Sequence, residues 1–202
     1  MDINELINSV SDNFYHRERL LKWLPILLQC TIASMLAAIA TALIGSNLII
    51  TLISLFISVV HLTILFILAA VHGRFRTAAI LSAVSAGGTL LALYVNNGLI
   101  TLAVSICSIL ASYQELNAFS EITAPLDAKL SRKWHSLFYW ELAVGLLSGV
   151  FTSAAVVIAV LADLDPETIV KFALYFITAV TAALSFIRIL YLKQTTALYQ
   201  EG

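Results

Sequence analysis

Three ionisable residues interrupt the long hydrocarbon runs of this sequence: His61, Glu141 and Arg188. Such groups at membrane depth are costly, and they mark proton relays, ion paths or structural pairs. His61 stands 11 residues before His72, about 16 Å along a helix that rises about 1.5 Å per residue. That places it close to the midplane of a hydrocarbon layer roughly 30 Å thick. Thr51, Ser54 and Ser58 share its helical face. Imidazole, whose ordinary pKa lies near neutrality, can relay protons or bind a cation at such a site. It can equally sit there as a neutral histidine hydrogen-bonded to a serine on a neighbouring helix. Ser34, also 11 residues from the end of its own run, is the expected partner. Heme is not expected, because His61 and His72 share one helix and no midplane histidine on another run completes an axial pair.

Glu141 and Arg188 flank the turn around Asp165. Glu141 lies 21 residues before Ala162 and Arg188 lies 21 residues after Glu167. The two therefore reach the same depth on adjacent runs and are expected to form an intramembrane ion pair, which offsets the burial of both charges. Hydroxyls supply the remaining chemistry. Thr101, Ser105, Ser108 and Ser112 share one helical face, as do Ser82, Ser85 and Thr89, and Thr178, Thr181 and Ser185. These stripes must turn away from lipid, either to join helices or to line a wet path. Small residues favour close helix packing: Gly145, Gly149 and Ser153 repeat at four-residue steps, and so do Ala33, Ala37, Thr41 and Gly45.

These residues need long elements to hold them, and the composition supplies them. Of the 202 residues, 60% are hydrophobic and 11% charged, with a mean hydropathy of +0.96. Soluble domains carry about 25% charged residues, so a membrane protein is expected. Six runs approach the roughly 20 apolar residues that a spanning helix needs: 23–44, 48–71, 77–95, 99–113, 137–161 and 169–192. The expected fold is an all-α bundle of six transmembrane helices in three hairpins. Residues 1–22 form a cytoplasmic amphipathic helix, 114–136 an inside segment with an interfacial helix, and 193–202 a cytoplasmic tail. The polar, mixed-charge first 22 residues argue for an uncleaved anchor rather than a leader.

Orientation follows from Lys and Arg. Ten of the eleven fall at the connections of one side, and Lys171 alone falls on the other. Both termini are therefore expected in the cytoplasm and the chain in the cell membrane. Gly45-Ser46-Asn47 and Asn96-Asn97-Gly98 are turn formers. Asp165 and Pro166 read as the N-cap and first position of a helix, which accounts for the acidic trio Asp163, Asp165 and Glu167 better than a cation site does. Cys30 and Cys107 lie inside apolar runs and read as small hydrophobes.

Residues 126–141 form an amphipathic stretch. Leu126, Leu130, Trp134, Leu137 and Phe138 share one face, opposite Lys129, Arg132, Lys133 and Ser136. Thr123 and Pro125 supply helix-start signals, and Asp127 falls in the first turn. Lys129, Arg132, Lys133 and Trp134 are expected at the interface, against anionic headgroups or a docking protein such as a transporter ATPase. His135 is expected to be solvated. In residues 1–22, Ile3, Leu6, Ile7, Val10 and Phe14 fall on one face, which suits the membrane surface or a partner.

No metal-protease, hydrolase, P-loop or selectivity-filter motif occurs. No paired carboxylates are read at one depth, no basic patch suits nucleic acid, and neither an enzyme nor a metal or other cofactor is expected. In size and span number the chain is similar to the substrate-binding membrane subunits of energy-coupling-factor importers, and Ala33 and Ala37 match one pair of their Ala-x-x-x-Ala docking face. The very short outer turns depart from that family. Two functions are expected: a structural or interaction subunit, or a small-solute or proton-coupled transporter or channel using His61, Ser58 and Ser34.

Overall fold

The computed structural model describes residues 3–45, 48–95, 97–161 and 165–201. Side chains are described from Tyr15 onward, except at 92–94, 149, 152–153, 155–156, 158–161, 166–167, 170 and 201. Among the described residues there are six helices: α1 (Ile3–Ile44), α2 (Leu48–Leu68), α3 (Gly73–Tyr94), α4 (Gly98–Thr123), α5 (Ala128–Leu161) and α6 (Pro166–Glu201). No strand occurs among the described residues. Within them, Tyr15–Ile44, Leu48–Leu68, Gly98–Thr123 and Lys171–Gln200 are long and apolar enough to cross a membrane.

Local chemistry sets the boundaries. Gly45 takes φ 85° at the end of α1, and its N–H reaches the Thr41 carbonyl at 3.0 Å. Glycine adopts that left-handed conformation without a Cβ penalty. Asn97 caps α4 by accepting from the Leu99 N–H at 2.9 Å. Asp165 accepts from the Thr168 N–H at 3.2 Å, and Pro166 opens α6. Asp127, rather than Thr123 or Pro125, starts α5: its Oδ1 accepts from the Lys129 and Leu130 N–H groups at 2.8 and 3.1 Å. These two bonds hold its carboxyl below the usual value. Ser46, Asn47, Asn96 and Asp163, the Glu167 side chain and the apolar face of residues 3–14 lie outside what is described.

Three elements differ from the sequence expectation. Residues 3–22 and the first expected span form one helix, α1, despite Pro25 within it. The fourth expected span does not stop at Tyr113 but continues to Thr123, burying Glu115, Leu116, Asn117, Ala118 and Phe119. The expected tail is the last part of α6, and Thr195 and Thr196 are buried there. In each case, polar residues that read as an aqueous segment find partners inside the bundle.

The helices pack in sequence order, each against its neighbours, and α1 packs against α6. The six therefore close into a ring. The buried core lies where α3 and α5 begin and α2, α4 and α6 finish, against the middle of α1. Leu20, Leu24, Leu65, Leu68, Phe75, Leu116, Phe119, Leu130, Trp134 and Leu192 meet there. Phe119 stacks on Trp134 at 4.7 Å, and Phe75 meets Phe119 edge-on at 5.1 Å. Such pairs contribute about 0.5–1.5 kcal/mol beyond burial. Trp134 is 0% exposed and donates from Nε1 to Thr195 Oγ1 at 3.1 Å. It is a core residue, not the interfacial or docking residue its amphipathic setting suggests. Tyr139 and Trp140, two and three residues after Leu137, are exposed.

Basic side chains tie this end together. Arg19 Nη1 donates to the Ile67 carbonyl at 3.2 Å, and Arg17 Nε donates to the Tyr199 carbonyl at 3.1 Å. Cations favour carbonyls in the last turn of a helix. Tyr199 OH donates to the Ile122 carbonyl at 2.7 Å, joining the ends of α6 and α4. Glu121 accepts from both His72 Nε2, at 3.0 Å, and Arg74 Nη2, at 2.8 Å. Away from this end, large apolar side chains such as Leu43, Leu48, Leu99 and Val150 point outward.

Candidate functional site: a charged chamber inside the helix ring

The ring brings ionisable side chains from four helices into one string. His61 Nε2 of α2 lies 3.4 Å from Glu115 Oε2 of α4. Glu115 Oε1 lies 2.5 Å from Arg188 Nη2 of α6. Arg188 Nη1 lies 3.8 Å from Glu141 Oε1 of α5. The Glu115 and Arg188 side chains are only 7% and 15% exposed, against 26% for His61 and 22% for Glu141. Charges this deep are tolerated when each faces a counter-charge, and removing one partner of such a pair costs about 3–5 kcal/mol.

Two neighbouring cavities that share lining residues flank the string. One, of about 340 Å³, is lined by Ser34, Ser58, His61, Ser82, Ser85, Ser108, Ser112, Glu115 and Arg188. The other, of about 840 Å³, shares Ser85, Ser108, Ser112 and Arg188 and adds Thr89, Ser105, Glu141, Ser148, Thr181 and Ser185. All six helices thus contribute polar groups to one chamber. The hydroxyl stripes of the third, fourth and sixth runs supply most of it. Thr178 and Thr101 depart from this pattern: Thr178 lines a separate groove between α1 and α6, and Thr101 lines neither cavity, its exposed hydroxyl donating to the Asn97 carbonyl at 3.4 Å.

Ser58 and Ser34 line the His61 cavity, but the partner that His61 meets is Glu115, not Ser34. The Ser58 hydroxyl donates to the Ser54 carbonyl at 2.8 Å. Glu141 and Arg188 face one another, with Glu141 the more distant of the two acids around Arg188. The expectation that no two carboxylates share a depth is overturned, because Glu115 and Glu141 both flank one guanidinium. Glu115 is the residue that sequence reasoning missed. Its neighbours Gln114 and Asn117 look like a loop. Yet 101, 105, 108, 112 and 115 continue one helical stripe, and extending the stripe by a single step reaches it.

The other expected residues lie elsewhere. Lys129, Arg132 and Lys133 are exposed on the first turns of α5, where Arg132 Nε donates to the Ala128 carbonyl at 3.3 Å. His135 is exposed, with Nδ1 2.9 Å from Asn117 Oδ1. Gly145 lines the larger cavity, and a Cβ there would meet nothing within 4 Å, so it makes no close helix contact. The Gly149 and Ser153 side positions lie outside the described residues. The close approach is instead at Gly88 of α3, where a Cβ would fall 2.5 Å from Val104 Cγ2 of α4.

The lining offers hydroxyl, imidazole, carboxylate and guanidinium groups, the chemistry that hydrogen-bonds water or a small polar solute. Comparison with known proteins gives no match: no family model, no curated protein and no solved structure is similar to this chain.

Proposed function

We propose that this chain is a six-span cell-membrane protein that moves protons or a small solute through the chamber at the centre of its helix ring, without catalysing a reaction. The observation that carries this reading is the His61–Glu115–Arg188–Glu141 string, lined by hydroxyls from all six helices. A purely structural bundle gains nothing from burying two carboxylates around one guanidinium beside open space, since well-packed apolar side chains of similar volume are as stable or more so.

Three hairpins with short outer turns and both termini cytoplasmic fit the Lys and Arg distribution. Arg17, Arg19, Arg74 and Lys133 all meet at the end that this orientation places inside. Exposed Lys129, Arg132 and Lys133 suit the anionic headgroups of that leaflet, and the same surface would serve a cytoplasmic protein partner.

The test is proton flux into liposomes that carry the purified protein and an internal pH-sensitive dye. Under an imposed pH gradient, the wild type should equilibrate faster than protein-free vesicles, and His61→Leu should abolish that excess. Wild-type vesicles no faster than empty ones would overturn the reading.

A further inference from the structure

We infer that the chamber exchanges one proton for one organic monocation, with the two competing for a single unpaired negative charge. This deepens the transport reading above and rests on it. The charged groups facing the chamber among the described residues are Glu115, Glu141, Arg188 and His61. With a neutral imidazole they sum to one excess negative charge, and with an imidazolium they sum to zero. From the remaining helices, Ser34 of α1 and Ser82, Ser85 and Thr89 of α3 contribute hydroxyls only. An uncompensated charge in this low-dielectric setting draws in a cation. A proton on His61 or a cationic solute satisfies it, but both together would leave an excess of positive charge.

Geometry divides the labour between the two acids. Glu115 is held at 2.5 Å by Arg188 and also faces His61, so it couples to the protonation of His61. Glu141 is held only at 3.8 Å and lines the larger cavity, which leaves it the acid open to an incoming cation. That cavity, about 840 Å³, falls in the range of small-molecule sites. Phe138, Leu142, Leu146 and Leu184 give it an apolar wall, which suits an organic cation with a hydrophobic body better than a hydrated metal ion. When the cation settles against Glu141, His61 gives its proton to solvent; when His61 is reprotonated, the cation is released. Exchange of one monocation for one proton moves no net charge.

The experiment measures ethidium binding to the purified full-length chain in mild detergent, by ethidium fluorescence, together with proton release in weakly buffered solution. Ethidium carries a fixed single positive charge on an aromatic body. The expected result on the acid side is one proton released per ethidium bound, with affinity falling about tenfold per pH unit, as one-proton competition requires; where histidine is neutral, binding releases none. Glu141→Gln should abolish binding, and His61→Gln should abolish proton release and flatten the pH dependence. In vesicles, the exchange should not respond to an imposed membrane potential. Absence of ethidium binding at pH values where histidine is neutral, or binding without proton release on the acid side, overturns the inference and needs no variant. Proton flux in vesicles with no effect of ethidium would sink this exchange while leaving the chamber a conductor. Loss of both would sink the transport reading as well.

Discussion

Arg188→Gln is the most informative perturbation of the chamber. The arginine is the single positive charge between Glu115 at 2.5 Å and Glu141 at 3.8 Å, and the Glu115 side chain is 7% exposed. Removing it doubles the excess negative charge of the string from one to two. The cost of leaving a buried charge without its partner is about 3–5 kcal/mol. For a chain of this size about 2–4 °C of melting temperature accompanies each kcal/mol, so the loss should be roughly 6–20 °C. Thermal unfolding in detergent, followed by tryptophan fluorescence, reads this directly, because Trp134 is buried beside Phe119 and Tyr191 at the core. Adding Glu115→Gln to Arg188→Gln restores the excess to one and should recover at least half of the loss. A melting temperature of Arg188→Gln within about 2 °C of wild type, or a double variant as unstable as the two losses added, would refute the charge accounting.

Two further outcomes follow from the basic end of the ring. Trp134→Ala removes a fully buried ring together with its bond to Thr195, and should destabilise the fold by about 3–5 kcal/mol, measured by the same melting experiment with Trp23 and Trp140 as reporters. Asp127 caps α5 with a carboxyl held below its ordinary value by the Leu130 and Lys129 N–H groups. A depressed folded value means that its stabilisation is complete above the ordinary carboxylate range, about pH 4, and is lost as pH falls through the folded value. Melting temperatures of wild type and Asp127→Ala should therefore differ near neutrality and converge in acid; a constant difference would remove the cap from the account.

The broad architecture was legible because apolar run length and turn chemistry are local. Asp165 and Pro166 mark the start of α6 by themselves, and counting from that turn places Glu141 and Arg188 together. What failed was any inference that treated polarity as a sign of water. Gln114, Glu115 and Asn117 look like the end of a helix, yet α4 continues through them because Arg74, His61, Arg188 and His135 wait on other helices to receive them. Trp134 reads as a belt residue for the same reason: the amphipathic pattern of residues 126–141 fixes which face is apolar, not whether lipid or protein covers it. Close approach at Gly88 was equally hidden, since it depends on Val104 of another helix, whereas the four-residue spacing at Gly145 meets nothing.

Ring closure between the first and last helices orders the events of biogenesis. Glu115 and Glu141 leave the ribosome before Arg188, so the two acids are made ahead of their shared counter-charge. Arg17 likewise waits for Tyr199, 182 residues further along the chain, before its guanidinium finds a carbonyl. Until the sixth helix arrives, the acids have no guanidinium to face. Closure of the ring and of its charged string is therefore a late, whole-chain event.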